Sequence, residues 1–144
     1  APKIGGVQGH LTSNACSIAQ WASLGALREA EEDTLRMRGE FSRRRELMMG
    51  LLREMPLVSF DEPRGAFYVF VNIDPALGGT LDGKVLENDG HFCEALLERE
   101  YVAAVPGTAF LAPGHIRLSY ANSEAEIREG MARFKRFLAS IEVK

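Results

Sequence analysis

Arg117 is the residue whose type and setting could most readily serve chemistry. It lies in the run 115–121, where apolar and polar residues alternate. Because successive side chains of a strand point to opposite faces, the apolar residues are predicted to face a core and Arg117 the other side. The apolar set is Ile116, Leu118 and Tyr120, and the opposite set is Arg117, Ser119 and Ala121. A guanidinium offers a planar fork of donors, so Arg117 is either a salt-bridge partner or a clamp for a carboxylate or phosphate.

Other residue types with catalytic or metal-binding chemistry form no recognisable pattern. The three histidines, at 10, 91 and 115, lack the HExxH spacing of zinc enzymes, so no metal site is predicted. The two cysteines, Cys16 and Cys93, lack CxxC spacing and are predicted to be reduced and mostly buried. The sequence contains no GxSxG, Walker or GxGxxG motif. We therefore assign no catalytic residue within this chain.

The composition is typical of a soluble globular domain. The chain has 144 residues, of which 46% are hydrophobic and 26% charged, and a formal net charge of -3. Its length allows about two thirds of the unfolded surface to be buried. There is no basic excess to indicate a nucleic-acid partner, and no apolar run approaches the roughly 18 residues that span a bilayer. We expect no membrane partner and a cytoplasmic location.

The N-terminal part supplies structural elements rather than chemistry. Residues 1–14 are rich in glycine and polar residues, which predicts an irregular segment. Within it, Thr12, Ser13 and Asn14 are typical helix N-capping residues. Over about 15–32, small and apolar residues cover most of a helical surface. A helix that is apolar on nearly all sides needs burial on all sides, which in so small a domain predicts a partner surface.

The rest of the chain predicts helices and short strands. A helix over about 34–55 carries one apolar stripe, and its basic run at 43–46 is predicted to be a solvated face. Strands are predicted at 58–60 and 66–73 because aromatic and β-branched residues prevail there. Residues 74–88, rich in glycine and proline, are predicted to form a surface loop.

The C-terminal half completes the fold class. A helix over about 89–100 is predicted to lead into a buried strand that starts at Val102 and ends at Pro106-Gly107. Ser123 and Glu126 fit a capping box. The helix that follows has core residues at helical spacing, namely Ile127, Met131, Phe134, Leu138 and Ile141. The sum is an α+β domain with a small, mainly antiparallel sheet packed with helices.

A series of motifs runs in order from about Val7 to Leu138. They are Gln8-Gly9-His10-Leu11-Thr12-Ser13-Asn14 with Ser17-Ile18-Ala19-Gln20, Arg44-Arg45-Glu46-Leu47, Gly65-Ala66-Phe67-Tyr68-Val69-Phe70, Val105-Pro106-Gly107-Thr108-Ala109-Phe110 and Ile116-Arg117-Leu118-Ser119-Tyr120-Ala121. Together they resemble the C-terminal part of a class I aminotransferase, in the aspartate aminotransferase-like branch of the fold type I pyridoxal phosphate enzymes. The resemblance depends on the order and spacing of all the motifs rather than on any one of them.

This resemblance implies transfer of an amino group from an amino acid to a 2-oxo acid, through a Schiff base between pyridoxal phosphate and a lysine. The cofactor would supply carbanion stabilisation, and the protein orientation and proton transfer. Arg117 would bind the substrate α-carboxylate in a two-pronged contact, and Phe67 would lie near the substrate pocket. Ser13 and Asn14 would approach the active site of the other subunit in a homodimer.

The resemblance also implies groups that this sequence lacks. The family's Schiff-base lysine stands in a Ser-Lys motif before a Gly-x-Arg-x-Gly-Tyr run, a few tens of residues ahead of the segment that Gln8-Gly9-His10 resembles. Most cofactor-binding groups belong to the same part of the family's chain. We therefore expect residues 1–14 to lead in from a missing N-terminal large domain, and 15–144 to form the small domain with its connecting helices. This chain alone is expected to bind no pyridoxal phosphate and to be inactive.

One alternative function stays open at this point. The chain would then be a stand-alone relic that binds carboxylates or a protein partner without catalysis. The amino acid substrate is open as well, since some aspartate-specific relatives have an arginine where this chain has Gly9-His10. That difference weakens aspartate specificity and leaves aromatic, alanine-type or broad substrates to be considered.

Overall fold

The computed structural model of the protein describes residues 2–12 and 14–143. The chain separates into two compact units, Ala1–Gly39 and Glu40–Lys144. The first unit is helical, and the second contains the sheet. The assignment of 1–14 and 15–144 to two different domains stays a prediction.

The first helix lies where the sequence predicts an irregular segment, and that prediction is wrong. α1 spans Pro2–Thr12. The Gln8 amide donates a hydrogen bond to Thr12 Oγ1 at 2.9 Å, and Thr12 Oγ1 donates to the Gln8 carbonyl at 3.0 Å. These polar groups are therefore satisfied one helical turn apart. Glycine and polar content lowers helix propensity, but propensity is a weak guide to a single short segment.

The second helix confirms one prediction and contradicts another. α2 spans Ser17–Glu29, within the predicted range. Cys16 occupies its N-cap position, and no side chain forms a capping hydrogen bond there. Capping by Thr12 or Asn14 is therefore wrong, and Ser13 lies outside the described residues. None of the α2 residues is buried in this chain. Its large apolar side chains are exposed, Ile18 by 78%, Trp21 by 73% and Leu27 by 88%.

The third helix is the longest of the described chain. α3 spans Glu31–Arg53 and begins before the predicted start at Thr34. Its first turn holds Glu31, Glu32 and Asp33, where negative charge interacts favourably with the helix dipole. Toward its C-terminal end it buries Met48, Met49 and Leu52, which confirms the predicted apolar stripe there. The stripe is wrong at its N-terminal end, where Met37 is 56% exposed. No helix among the described residues is long and apolar enough to cross a membrane.

Short strands and a hairpin follow α3. The elements are β1 (Ser59–Phe60), β2 (Tyr68–Asn72), a 3₁₀ turn at Asp74–Ala76, β3 (Thr80–Leu81) and β4 (Lys84–Val85). β3 and β4 pair as an antiparallel hairpin inside the predicted loop, so the loop prediction for 74–88 is wrong in part. The turn at Asp82-Gly83 has positive φ at both residues, the backbone that two-residue hairpin loops favour. Strands of two residues are too short to show alternation in a sequence.

The next helix is predicted well and the next strand less well. α4 spans Asp89–Glu100, and the Asn88 side chain caps it by accepting a hydrogen bond from the His91 amide at 2.9 Å. β5 is only Val105–Pro106, shorter than the predicted strand from Val102. Residues Gly107–Phe110 form a second 3₁₀ turn, called the Gly107 turn below. β6 then spans His115–Ser119.

The main sheet of the second unit has four antiparallel strands in the order β1-β2-β6-β5. The longest pairing joins β2 to β6, and it sets Val71 opposite Ile116 and Phe70 opposite Arg117. One face of this pair is buried, with Val69, Val71, Ile116 and Leu118 in the core. The predicted α+β class with a small antiparallel sheet is confirmed.

The last helix packs its apolar residues into the core of the second unit. α5 spans Glu124–Ala139 and starts with the predicted capping box, since Ser123 Oγ accepts from the Glu126 amide and the Glu126 carboxylate accepts from the Ser123 amide. Its buried residues are Ile127, Met131, Phe134, Phe137 and Leu138, and Ile141 is buried just beyond it. The Phe92 ring of α4 packs edge-on against Phe134, with centroids 6.2 Å apart. Packing of α5 on α4 therefore closes the core.

Replacing Phe134 by alanine is expected to lower the free energy of unfolding by roughly 3–5 kcal/mol, because a fully buried ring leaves a cavity. Urea denaturation followed by circular dichroism measures this change. Arg128→Ala, on an exposed position of the same helix, is the control and should change stability by less than about 0.5 kcal/mol. If the alanine variant does not fold, Phe134→Leu tests the same contact at smaller cost. Equal stabilities of the Phe134 and Arg128 variants would contradict the core assignment.

Candidate functional site

Arg117 lies at the middle of β6 on the face opposite the core. Its strand neighbours Ile116 and Leu118 are buried, as is Tyr120, so the predicted alternation is confirmed. In the sheet, Arg117 is registered between Phe70 of β2 and Val105 of β5. The pleat of the strand therefore directs the guanidinium away from the apolar interior.

Two aromatic rings contact the guanidinium of Arg117. Its central carbon lies 4.4 Å from the ring centroid of Phe110 and 5.2 Å from that of Tyr68, both within the range of cation–π attraction. Within residues 2–12 and 14–143, no group forms an ion pair or hydrogen bond with the guanidinium of Arg117. The described chain thus lacks the salt bridge that one interpretation of Arg117 requires. Its hydrogen-bond donors remain available for an anionic ligand.

The rings around Arg117 belong to an aromatic cluster made of Phe67, Tyr68, Phe70 and Phe110. Neighbouring rings meet edge-on, with centroids 5.7 Å apart for Phe67 and Tyr68, 6.2 Å for Tyr68 and Phe70, and 5.5 Å for Phe70 and Phe110. This geometry is the one that aromatic pairs prefer. Phe67 is 51% exposed and contacts the ring that contacts Arg117. Phe67, which the family resemblance implies near the substrate pocket, therefore belongs to the aromatic cluster that contacts Arg117.

The backbone next to Phe67 is held by the end of β6. The Phe67 carbonyl accepts a hydrogen bond from the Tyr120 amide at 2.8 Å. The buried Tyr120 hydroxyl donates to the Ala66 carbonyl at 3.1 Å, in a turn where Ala66 has the left-handed φ of 60°. Burial raises the pKa of Tyr120, so its hydroxyl stays protonated and able to donate. The sequence predicts Tyr120 as a core residue and misses this anchoring role.

The Gly107 turn, which carries Phe110, is held by a buried carboxylate. Asp89, at the start of α4, is 3% exposed. One of its oxygens accepts from the Thr108 amide at 2.7 Å and the other from Thr108 Oγ1 at 2.8 Å. A Cβ atom at Gly107 would lie 2.2 Å from the Ala112 carbonyl oxygen, so only glycine fits there. In the sequence, Gly107 is predicted only to end a strand, and no pattern indicates a role for Asp89.

The environment of Asp89 keeps its carboxylate charged. Burial alone would raise its pKa, but hydrogen bonds from the Thr108 backbone and side chain and from backbone amides at Asp89 and Gly107 outweigh it. The pKa of Asp89 is therefore held below its ordinary value. A charged, hydrogen-bonded carboxylate at this position attaches α4 to the Gly107 turn.

Asn14, Cys16 and Cys93 are also residues that the sequence singles out. Asn14 is exposed in a bend after α1, and Ser13 lies outside the described residues. Cys93 is buried, which raises the pKa of its thiol to about 12. Cys16 is exposed, so the prediction that both cysteines are mostly buried is wrong for Cys16, because none of the α2 start is covered in this chain. The described residues contain no metal-binding group of histidine, cysteine and acidic side chains.

The sequence and fold described above match a known family. The family model for aminotransferase class I and II matches residues 3–134. Because the match extends over most of the chain, the protein belongs to the class I and II aminotransferases. The family resemblance that the ordered motifs predict is confirmed.

Curated relatives place the chain in the aspartate aminotransferase-like branch. It is 39% identical over 130 residues to the probable aspartate/prephenate aminotransferase of Rickettsia typhi, covering 90% of this chain and 33% of the relative. It is 40% identical over 140 residues to the aspartate aminotransferase of Thermotoga maritima, covering 97% of this chain and 33% of the relative. The chain thus spans about a third of the length of these relatives.

Solved structures agree with this assignment. The aspartate aminotransferase from Rhizobium meliloti aligns with a TM-score of 0.87 and 38% identity, over 94% of this chain and 34% of that protein. The Thermus thermophilus aspartate aminotransferase with maleate aligns with a TM-score of 0.78 and 38% identity, over 92% of this chain and 32% of that protein. At this identity the likeness supports the family as well as the fold.

The lowered pKa of Asp89 predicts how stability depends on pH. The folded chain holds a proton at Asp89 less tightly than the unfolded chain, whose aspartates have a pKa of about 3.9. The stabilisation is therefore fully present above that pKa and is lost as pH falls through the lower folded value. The free energy of unfolding of the native chain should exceed that of Asp89→Asn at pH 7, and the gap should shrink toward pH 3. Urea denaturation at several pH values measures it.

Thr108→Val is the matched variant for this pH effect, because it removes the hydroxyl donor and keeps the amide donor. The pH-dependent part of the gap between this variant and its Asp89→Asn double variant should be smaller than in the native background. A gap that stays constant between pH 7 and pH 3 in the native background would contradict the lowered pKa.

Proposed function

We propose that this chain is the C-terminal, small-domain part of a pyridoxal phosphate-dependent aminotransferase, and that Arg117 binds the α-carboxylate of the substrate. The observation that carries the proposal is the guanidinium of Arg117, which contacts two rings and has no ion-pair partner among the described residues. A carboxylate is the ligand whose two oxygens match the guanidinium fork. Membership of the aminotransferase family supports this choice over a phosphate.

The aromatic cluster orients the guanidinium of Arg117 and forms one wall of the proposed pocket. Phe110 and Tyr68 restrict the guanidinium by contact with their rings, which reduces the entropy lost when a carboxylate binds. Phe67 offers a half-exposed ring one contact further along the cluster. We assign it to the apolar boundary of the substrate pocket.

The residues around Arg117 do not fit a complete cofactor site. Pyridoxal phosphate would supply carbanion stabilisation when bound, and it needs a lysine amine. The elements that surround Arg117 contain no lysine. Lys84 lies on β4, and Lys135 lies on α5 with its amine 3.8 Å from a Glu54 carboxylate oxygen. In our proposal the cofactor-binding residues lie in a part of the protein beyond this chain, which is inactive alone.

The substrates are an amino acid and a 2-oxo acid, as the family implies. Relatives of the chain are named for aspartate and prephenate, and each such molecule carries a carboxylate of the kind that Arg117 would bind. The proposal specifies this shared carboxylate and leaves the side chain of the amino acid to be measured. A cytoplasmic location is part of the same proposal, supported by composition.

The proposal includes a homodimer in which α2 is covered by other protein surface. The exposed apolar residues of α2 support it, since a contiguous apolar surface favours association. Asn14, and Ser13 beside it, would approach the active site of the partner subunit. The relic without catalysis stays the competing function, and the experiments below separate the two.

The test begins with the genomic sequence upstream of the codon for Ala1. We expect it to encode, in frame, a Ser-Lys motif followed by Gly-x-Arg-x-Gly-Tyr. The extended protein should transaminate, whereas the 144-residue chain should not, and neither should it give a new absorbance band with pyridoxal phosphate. Arg117→Lys in the extended protein should lower kcat/KM about 100-fold, because two charge-assisted hydrogen bonds are worth about 3 kcal/mol.

Arg128→Lys, an exposed arginine of α5, serves as the control and should leave kcat/KM unchanged. A stop codon or a start codon directly upstream would favour the relic. Transaminase activity of the 144-residue chain alone, or full activity of the Arg117→Lys variant, would contradict the proposal.

The exposed apolar residues of α2 predict self-association of the chain. Sedimentation velocity should show a species heavier than the 15.9 kDa monomer. Trp21→Glu should shift it toward the monomer, because it places a charge on the apolar surface. Arg28→Glu, on an exposed position of the same helix, is the matched control and should keep the association. A native chain that sediments only as a monomer would count against this surface as an interface.

A further inference from the structure

We infer that Asp89 is a positioning residue for the carboxylate site. By holding Thr108 it fixes the Gly107 turn, and this turn places Phe110 against Arg117. The inference rests on the proposed role of Arg117 as the ligand of the substrate carboxylate. Asp89 itself acts through Phe110 and has no contact with the guanidinium.

The first observation is that the buried carboxylate of Asp89 accepts its hydrogen bonds from the Gly107 turn. Among the described residues, Asp89 is the one charged residue that is buried. Burial of a carboxylate costs free energy unless hydrogen bonds compensate for the lost solvation. Both of its oxygens bind Thr108, one through the amide and one through the hydroxyl. Two bonds to one residue fix its distance and its orientation together.

The second observation is that the turn is rigid between Thr108 and Phe110. The two residues belong to the same 3₁₀ turn. The Leu111 amide donates to the Thr108 carbonyl at 3.1 Å, and the Ala112 amide donates to the Gly107 carbonyl at 3.0 Å. Gly107 packs so closely on the segment before β6 that no Cβ atom fits. A displacement of Thr108 therefore moves Phe110 as well.

Helix capping does not account for the Asp89 carboxylate. The N-cap of α4 is Asn88, whose side chain already accepts from the His91 amide. The carboxylate oxygens of Asp89 are instead bound to Thr108, on the side of the site. Asn88 and Asp89 are adjacent residues at one helix end, so a comparison of their variants separates helix stability from positioning.

The site depends on this turn through the Phe110 ring. Phe110 is the ring nearest to the guanidinium of Arg117, at 4.4 Å against 5.2 Å for Tyr68. If the turn shifts, the guanidinium loses its closer cation–π partner and gains freedom that a bound carboxylate must then restrict. Loss of one cation–π contact corresponds to about a two- to fivefold weaker affinity.

The experiment uses the 144-residue chain with labelled arginine side chains, observed by NMR. The Arg117 signals, assigned with Arg117→Lys, should be displaced by the ring currents of Phe110 and Tyr68. In Asp89→Ala they should move toward their positions in Phe110→Leu, and Thr108→Val should give a smaller change in the same direction. Maleate, the ligand named in the Thermus structure, is the binding probe. Its Kd should rise about two- to fivefold in Asp89→Ala.

Asn88→Ala is the control, because it weakens the same helix end without touching Thr108. It should leave the Arg117 signals and the Kd for maleate at native values. If Asp89→Ala does not fold, the Thr108→Val variant decides by the same two readouts. Native Arg117 signals and native affinity in both variants would overturn the inference.

The outcomes also separate this inference from the proposed function. If maleate binds the native chain without disturbing the Arg117 signals, or does not bind at all, the carboxylate role of Arg117 fails. The response of the Arg117 signals to Asp89→Ala is measured without ligand and tests positioning by itself. Equal displacement in Asp89→Ala and Asn88→Ala would show that general destabilisation of α4 is the cause, and the inference would fail.

Discussion

The register of β2 against β6 is the constraint on which the site depends. It places Phe70 opposite Arg117 on one face and Val71 opposite Ile116 on the other. Side chains alternate along a strand, so a slip by one residue would bring Arg117 into the core and expose Ile116. The buried Val69, Val71, Ile116 and Leu118 make such a slip costly. The apolar core therefore determines on which face of the sheet the guanidinium lies.

The pairing of the strands determines the face of the sheet on which Arg117 lies. Two buried polar side chains then hold the two ends of the aromatic cluster in place. Tyr120 holds the turn before Phe67, and Asp89 holds the turn that carries Phe110. Each satisfies loop backbone, which would otherwise be free to move because loops have few partners of their own. A buried polar group that loses its partner incurs the full desolvation cost. Stability and site geometry therefore depend on the same few hydrogen bonds.

The sequence predicts those features that repeat along an element. The spacing of Ile127, Met131, Phe134 and Leu138 defines α5, and the alternation around Arg117 defines the faces of β6. Contacts between segments that are distant in the sequence cannot be predicted in this way. Nothing near Asp89 in the sequence points to Thr108, and the Pro106-Gly107 pair looks like the end of a strand until the packing at Gly107 is seen. α1 is missed for another reason, since the glycine and polar content of residues 2–12 is a weak guide to the structure of one short segment.

Arg117 and the apolar residues of α2 are both in contact with solvent, but the free energy of that exposure differs between them. Arg117 is partly exposed, so water can solvate its guanidinium. The carboxylate that we propose to bind there would replace that water at modest net gain. The apolar residues of α2 have no such substitute, because each exposed Å² of apolar surface costs about 25 cal/mol relative to burial. Exposure of the Arg117 guanidinium therefore costs the chain little free energy, whereas exposure of the apolar residues of α2 carries a cost that burial would remove. Association and ligand binding should then respond to different substitutions, since one depends on Trp21 and its neighbours and the other on Arg117 and the rings beside it.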